Sequence, residues 1–250
     1  MNRTYRFGVS VALLLAGWVG LSLFVPDLFP APWVVAALIV DLTLYGDVGG
    51  RSALYHLGIT FGRVLLATGI ALLLAVGIGI TMRVNDNVAT VFETWLPIWM
   101  TPPDVVVILI VMVLMGFNTT AIVMSVAFVC TPFALVSIWE GMQDLDPNLF
   151  EMATTFDADR RQMWRAVYLP HLMSYVFASL RNLFGMTWKV AVIGEVFGIT
   201  NGVGARIRYW FLQSNVEEVV AYAAMFTVVV LVIEYAILKP LEQRAFAWRA

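Results

Sequence analysis

Three charged side chains lie inside long apolar stretches of the sequence, where a charge is costly. Asp104 directly follows a Pro-Pro pair, and Lys189 and Glu195 share a later stretch. A charge at the centre of a membrane helix costs about 2.5–3.5 kcal/mol on insertion scales, so each of these residues needs a partner or a function. Lys189 and Glu195 would lie about 120° apart around a helix, whereas Trp188 and Glu195 would share a face. The two opposite charges of this stretch therefore do not face each other on one helix.

Asp104 and Lys189 allow several interpretations. They could pair across a helical bundle and only satisfy each other, or Lys189 could face a central path and receive an anionic group of a solute. Asp104 would oppose an anion there unless the solute is zwitterionic. Snorkelling of Lys189 to an interface is a third alternative. Glu195 is also open to a structural role.

The sequence lacks the common signatures of enzymes and of metal sites. It contains no Gly-x-x-x-x-Gly-Lys-Ser/Thr phosphate loop, no His-Glu-x-x-His helix and no nucleophile elbow. His56 and His171 are too isolated to suggest a metal site, and the single cysteine, Cys130, excludes an intrachain disulfide. A net charge of −2 gives no indication of a nucleic-acid partner. We therefore predict that the chain is not an enzyme and holds no cofactor or metal of its own.

The composition predicts an all-α integral membrane protein. Of the 250 residues, 61% are hydrophobic and 13% are charged, and the mean hydropathy is +0.85. The apolar runs are continuous rather than alternating, which favours helices over a closed barrel. The first run has no small-residue cleavage site after it, so we expect it to be retained. Six spans are predicted, at about 7–25, 60–82, 100–117, 119–141, 171–199 and 217–238.

Between these spans the sequence predicts shorter elements. Residues 29–45 contain an apolar stretch too short to cross a membrane, and we expect an amphipathic helix on the membrane surface there. Residues 89–101 predict a partial helix that breaks at Pro97, and Asn201 to Asn215 predict a Gly-rich polar loop.

The distribution of basic residues predicts the orientation. Six spans place both termini on one side, and that side would hold most of the arginines and lysines. These residues are Arg3, Arg6, Arg83, Arg160, Arg161, Arg165, Lys239, Arg244 and Arg249. The opposite side would hold only Arg51, Arg206 and Arg208, with Arg63 at a span entrance. The positive-inside rule therefore predicts that both termini are cytoplasmic.

A polar segment at 144–170 separates the fourth and fifth predicted spans. Two short helices are predicted in it, and the second begins at Asp159, which can cap that helix while Gln162 bonds back in return. Leu169-Pro170 is expected to close the unit. The chain has no energy source of its own. A two-helix segment on its cytoplasmic side therefore indicates a partner protein that docks there and supplies the energy.

The same segment resembles a loop of permease subunits of binding-protein-dependent ABC importers. That loop reads Glu-Ala-Ala, three residues, Gly, nine residues, Ile-x-Leu-Pro, and here Glu151-Met152-Ala153, Asp157 and Val167-Tyr168-Leu169-Pro170 stand at those spacings. Met152, Asp157 and Val167 depart from the pattern. Gly supplies a left-handed turn that Asp tolerates less well, so the angle between the two short helices stays open.

The resemblance extends over most of residues 28–240. Leu28-Phe29-Pro30-Ala31-Pro32 is similar to the family's entry before the surface helix, and 59–66 is similar to its second-span opening. Gly185-Met186-Thr187-Trp188 and Glu195-Val196-Phe197-Gly198 resemble its fifth span. Within the family, the sequence is most similar to the branch that imports nitrate, taurine, alkanesulfonates and some heterocycles.

The resemblance implies a fold, partners and site residues. The fold would be the type I ABC importer permease fold, present as a dimer with a second permease copy or a related permease. Two ATP-binding subunits would bind ATP and Mg²⁺, and a periplasmic or lipid-anchored binding protein would deliver the solute across the inner membrane of a prokaryote. The implied contacts with the ATPase are Glu151, Ala153, Asp157, Arg160, Arg161, Leu169 and Pro170. The candidate path residues are Lys189, Asp104, Trp188 and Glu195.

The arginines of the polar segment could be positive-inside anchors only.

Two alternatives to an importer permease belong to other functional classes. An intramembrane enzyme would need clustered His, Asp or Ser within spans, and the charges here are scattered. A secondary transporter or channel would be expected to show internal repeats and broken helices. The sequence shows no repeat, and only the predicted break at 97–103 supports this alternative. The sequence does not identify the solute.

Overall fold

Helices make up nearly all of the part of the chain that the computed structural model describes, which is residues 3–26, 28–144 and 159–240. No strand occurs in these ranges. The helices are α1 (Arg3–Phe24), α2 (Pro32–Leu44), α3 (Ala53–Val84), α4 (Asp86–Trp99), α5 (Asp104–Met115), α6 (Thr119–Gln143), α7 (Arg160–Met163), α8 (Leu169–Gly198), α9 (Val203–Leu212) and α10 (Val216–Ile233). Two π-helical turns, Trp164–Tyr168 and Glu234–Leu238, precede α8 and follow α10.

Local sequence signals define most of these helix ends. The side chain of Asn85 accepts hydrogen bonds from the first amides of α4, and that of Asn118 accepts one from Ala121 at the start of α6. Pro32 occupies the first turn of α2, where its missing N–H costs nothing. Gly116, with φ of +83°, ends α5 in a conformation that favours glycine.

Three helices are long and apolar enough to cross a membrane by themselves: Ala53–Val84, Thr119–Gln143 and Val216–Leu238. Two pairs of consecutive helices pass the same test only when taken together, α4 with α5 and α8 with α9. The axes of α4 and α5 differ by 99°, at the corner made by Pro102 and Pro103. Each predicted span coincides with a helix or with most of one, while the number of crossings stays a prediction.

The chain divides into two compact units. The first comprises Met1–Thr60 and Thr200–Leu231, and the second comprises Phe61–Ile199 and Val232–Ala250. The core of the first unit is formed by apolar side chains of α2, the start of α3, α9 and α10, among them Val35, Leu57, Val203 and Met225. In the second unit α6 and α8 make the most extensive helix contact. Trp188 and Ile138 are among its fully buried side chains.

Two details differ from the sequence-based expectations. The predicted polar loop at 201–215 contains the ten-residue helix α9. Helix α4 runs through Pro97 without a break, because the proline removes only the one hydrogen bond of its own missing N–H, and the helix ends two residues later at Trp99. Residues 32–44 do form the expected short helix, and its placement on the membrane surface stays a prediction.

The contact between α6 and α8 depends on a glycine. A Cβ atom at Gly141 would collide with the aromatic ring of Tyr175, which cannot move aside cheaply in a packed interface. We expect Gly141→Ala to destabilise the protein by about 1–3 kcal/mol, the usual cost of overpacking. Gly77→Ala in α3 is the matched control, because a Cβ there meets no atom within 4 Å and alanine favours a helix. Thermal unfolding of both purified variants in detergent checks this; an unchanged midpoint for Gly141→Ala would contradict it.

Candidate functional site

The described part of the polar segment begins with the predicted capping box. The amide of Gln162 donates to Asp159 Oδ1 at 2.7 Å, and the amide of Asp159 donates to Gln162 Oε1 at 2.9 Å. This reciprocal pair satisfies two amides at the start of α7 and confirms that a helix begins at this point. Arg161 and Arg165 are exposed there. Glu151, Ala153 and Asp157 lie outside the described residues, as does the side chain of Arg160.

The segment does not close at Leu169-Pro170, contrary to the expectation. Helical backbone continues from α7 through the π-helical turn into α8, with Leu169 and Pro170 exposed in its first turn. Pro170 has no N–H to donate and its ring would clash with a carbonyl one turn back. The wider π turn, in which the Leu169 amide bonds to the Trp164 carbonyl, accommodates the proline without breaking the helix. The polar segment and the fifth predicted span are therefore one continuous helical element.

Three side-chain contacts fix the start of this element to neighbouring helix ends. The guanidinium of Arg83, at the end of α3, donates to the Tyr168 hydroxyl at 3.3 Å. The imidazole of His171 bonds to the Gly141 carbonyl at 3.0 Å, and the Tyr175 hydroxyl donates to Asp144 at 2.5 Å. A displacement at 159–168 would thus act on α3, α6 and α8 together.

Asp104 and Lys189 do not form an ion pair within the described residues. Asp104 begins α5 and is half-buried, while Lys189 is exposed near the middle of α8. The chain holds only two lysines, so an exposed one in the middle of an apolar helix is conspicuous. Pairing of these two residues therefore receives no support from the geometry.

Trp188 and Glu195 share the buried face of α8, as their spacing indicates. Trp188 stacks on Phe61 with ring centroids 5.8 Å apart. Glu195 forms a salt bridge of 2.6 Å with Arg63 of α3, and both side chains are at most 2% exposed. Arg63 also donates to Thr119 Oγ1 at 2.9 Å, at the start of α6. Within this single chain, these two path candidates belong to the packed interior of the second unit.

The sequence alone does not reveal that Arg63 pairs with Glu195. The sequence does contain a signal for this pair. Arg63 and Glu195 carry opposite charges beside apolar runs, and burial of either charge without a partner would be costly. The sequence places Arg63 only at the entrance of a predicted span, and 132 residues separate it from Glu195. Pairing across that distance depends on how the helices pack.

A second buried charge cluster lies in the first unit. Asp47 Oδ2 accepts from Arg206 Nε at 2.5 Å, from the Tyr222 hydroxyl at 2.7 Å and from Trp210 Nε1 at 3.3 Å. At the start of α9, Thr60 Oγ1 accepts the amide of Val203 at 2.9 Å. These bonds hold residues 203–212 as a helix, which is why the predicted loop is absent. Polar composition alone did not reveal them.

Comparison with known proteins identifies the family of this chain. Residues 67–244 match the family model described as the binding-protein-dependent transport system inner membrane component. The chain belongs to this family. It is the permease subunit of an ABC importer, as the loop motif predicted, and its place is a prokaryotic membrane.

Two curated permeases match nearly the whole chain. The taurine transport system permease protein TauC of Escherichia coli is 24% identical over 98% of this chain and 90% of its own length. The putative aliphatic sulfonates transport permease protein SsuC of Bacillus subtilis is 24% identical over 95% of this chain and 85% of its own length. The predicted similarity to the taurine and sulfonate branch is thereby confirmed.

Solved structures confirm the fold. An amino acid ABC transporter crystallised with histidines matches with a TM-score of 0.64 at 23% identity, over 77% of this permease and 93% of that chain. The methionine transporter MetNI in an inward-facing conformation matches with a TM-score of 0.66 at 14% identity, over 75% and 93% of the two chains. Membership of this family implies ATP-hydrolysing and substrate-binding partners. No cluster of possible metal ligands occurs among the described residues of the permease.

Proposed function

We propose that this permease imports a small anionic or zwitterionic solute of the sulfonate or taurine type. The exposed Lys189 of α8 carries this proposal, since the described residues offer it no acidic partner. An ammonium group kept in an apolar helix at a cost of about 2.5–3.5 kcal/mol suits a path that receives an anion. The similarity to permeases of taurine and aliphatic sulfonates supports the same class of solute.

The half-buried Asp104 refines the solute class. A carboxylate would repel a simple anion but would attract the ammonium end of a zwitterion. Taurine, which the relative from Escherichia coli is named for, carries both a sulfonate and an ammonium group. We therefore place Lys189 and Asp104 along the path, as the residues that receive opposite ends of the solute.

Partner subunits would supply the energy for this import. Two ATP-binding subunits would hold ATP and Mg²⁺ and dock on residues 151–170, while this chain would carry out no covalent chemistry. Arg161 and the π turn Trp164–Tyr168 would lie at that contact. The contact and both termini would be on the cytoplasmic side. The helical continuity from 160 to 198 and the contacts to Arg83 and Asp144 support a rigid transmission of movement into α8. Two copies of the permease would enclose the path, and a binding protein would deliver the solute from the opposite face.

The test is uptake by the assembled complex. Permease, ATPase and binding protein are reconstituted in vesicles, and uptake of labelled taurine and ethanesulfonate is measured with and without ATP. We expect ATP-dependent uptake of at least one sulfonate. The proposed function would be refuted if uptake proceeded without ATP, or if neither compound were taken up.

Lys189→Met tests the role of the lysine in this system. We expect roughly tenfold slower uptake, because a charge-assisted hydrogen bond contributes about 1.5–3 kcal/mol, and an unchanged unfolding midpoint. Lys239→Met is the matched control, since it removes the only other lysine, at the end of the last helical segment. If Lys189→Met lowers stability instead, and Asp104→Asn restores it, the two residues pair and the path role is wrong.

A further inference from the structure

A cavity of about 230 Å³ lies between α6 and α8. This volume is several times the roughly 30 Å³ that one water molecule takes up in the liquid, so a small solute fits. Its lining combines apolar side chains with hydroxyl and amide groups. The lining residues are Phe133, Ala134 and Ser137 of α6 and Ser179, Asn182, Leu183 and Met186 of α8.

Ser179 is the unusual member of this lining. It is 1% exposed, and its hydroxyl has no hydrogen-bond partner anywhere in the described part of the chain. Buried hydroxyls are nearly always satisfied, and one left without a partner costs about 1–3 kcal/mol. The nearby buried hydroxyls of Thr131 and Thr187 follow the rule, because each donates to a carbonyl one turn back at 2.7 Å. Among the buried hydroxyls without a partner in the described residues, that of Ser179 belongs to a residue lining the cavity, so a solute bound there would supply the missing partner.

The cavity continues the face of α8 that carries Lys189. Asn182 and Lys189 are seven residues apart, so they lie on nearly the same side of the helix and about 10 Å apart along its axis. Both are exposed in the single chain. A solute held at Lys189 would reach the cavity after about two helical turns in the direction of Leu169, the end of α8 that we predict to be cytoplasmic.

We propose that the cavity between α6 and α8 is a binding site for the transported solute, in which Ser179, Ser137 and Asn182 donate hydrogen bonds to its oxyanion head group. This inference rests on the proposed function and adds a second site to the path. Neutral donors suit a sulfonate or carboxylate group, whose oxygens accept only, while Phe133 and Leu183 contact the carbon chain. No cationic side chain among the described residues lines the cavity, so the solute would be held only by neutral donors and bound weakly. Weak binding allows release, which passage through several sites in turn requires.

Direct binding tests the site. The purified complex of permease and ATPase, without binding protein, is titrated calorimetrically with ethanesulfonate, with taurine and with ethylammonium, which lacks the oxyanion. We expect the two sulfonates to bind and ethylammonium not to bind. Ser179→Ala should weaken the binding of both sulfonates about tenfold, because a hydrogen bond to a charged group is lost. Ser179→Leu, which fills the cavity, should abolish it.

Ser174→Ala is the matched control. Ser174 lies on the same helix, is also buried and also has no hydrogen-bond partner among the described residues, but it does not line the cavity. It should bind sulfonates as the unaltered protein does, and co-elution with the ATPase confirms that each variant assembles. Equal affinities of the Ser179→Ala and Ser174→Ala variants would overturn the inference, as would an unaltered complex that binds neither sulfonate. If the vesicles still take up sulfonates in that case, only the cavity site fails and the proposed function stands.

Discussion

Glu195→Met is expected to destabilise the permease by about 3–5 kcal/mol. The substitution leaves the guanidinium of Arg63 buried without its carboxylate, and removal of one partner of a buried pair carries this cost. The pair is 2.6 Å apart and almost fully excluded from the surface of the chain. Because Arg63 also bonds to Thr119, the unpaired charge would disturb three helices at once, α3, α6 and α8. Unfolding of the purified protein in detergent, followed by temperature or denaturant, measures the loss.

Two further variants make this result specific. In the double variant Arg63→Met/Glu195→Met no charge stays buried, so most of the stability should return. Arg181→Met is the matched control, since it breaks a pair of similar length, 2.7 Å to Glu234, whose side chains are 40% and 25% exposed. Such a pair contributes at most about 1 kcal/mol. A double variant no more stable than Glu195→Met alone would contradict the assignment of Arg63 and Glu195 to a buried brace.

Glu151→Lys is expected to reduce ATP-driven uptake by at least about tenfold while the protein still inserts into the membrane. We propose that Glu151 lies at the ATPase contact, as the loop motif implies, and reversal of a charge in an interface costs several kcal/mol through like-charge repulsion. Uptake and solute-stimulated ATP hydrolysis in reconstituted vesicles are the two measurements, and both should fall.

Glu140→Lys is the control for this variant. It makes the same charge change at an exposed position near the end of α6, outside the segment 151–170. Its uptake should stay near that of the unaltered protein. Normal uptake and normal stimulated hydrolysis with Glu151→Lys would show that the motif does not mark the coupling contact.

The sequence predicted most helices of this permease, because long apolar runs and capping residues are local signals. The capping box of Asp159 and Gln162 is an example, since both partners lie within one helical turn. The family was also within reach, since a spaced motif survives even where Met152, Asp157 and Val167 replace its usual residues.

What the sequence did not reveal depends on contacts between distant residues. Helix α9 was predicted as a loop because its anchors, Asp47 and Thr60, lie about 140 to 160 residues earlier in the chain. The path candidates were chosen by charge and helix face, but whether a buried face meets a path or a neighbouring helix depends on packing. Glu195 thus turned out to hold Arg63, whereas Lys189 has no such partner in the described part of the chain.

Crosslinking of the polar segment to the ATPase tests the central claim most directly. In a Cys130→Ala background a cysteine is placed at the exposed Arg161, or at the exposed Gln213 on the predicted opposite side, and labelled with a benzophenone maleimide. After assembly with the ATPase and irradiation, we expect a permease–ATPase product from position 161, altered in yield by ATP, and none from position 213. Equal products from both positions, or none from position 161 in a complex that transports, would contradict the claim that 151–170 joins this helical bundle to its energy source.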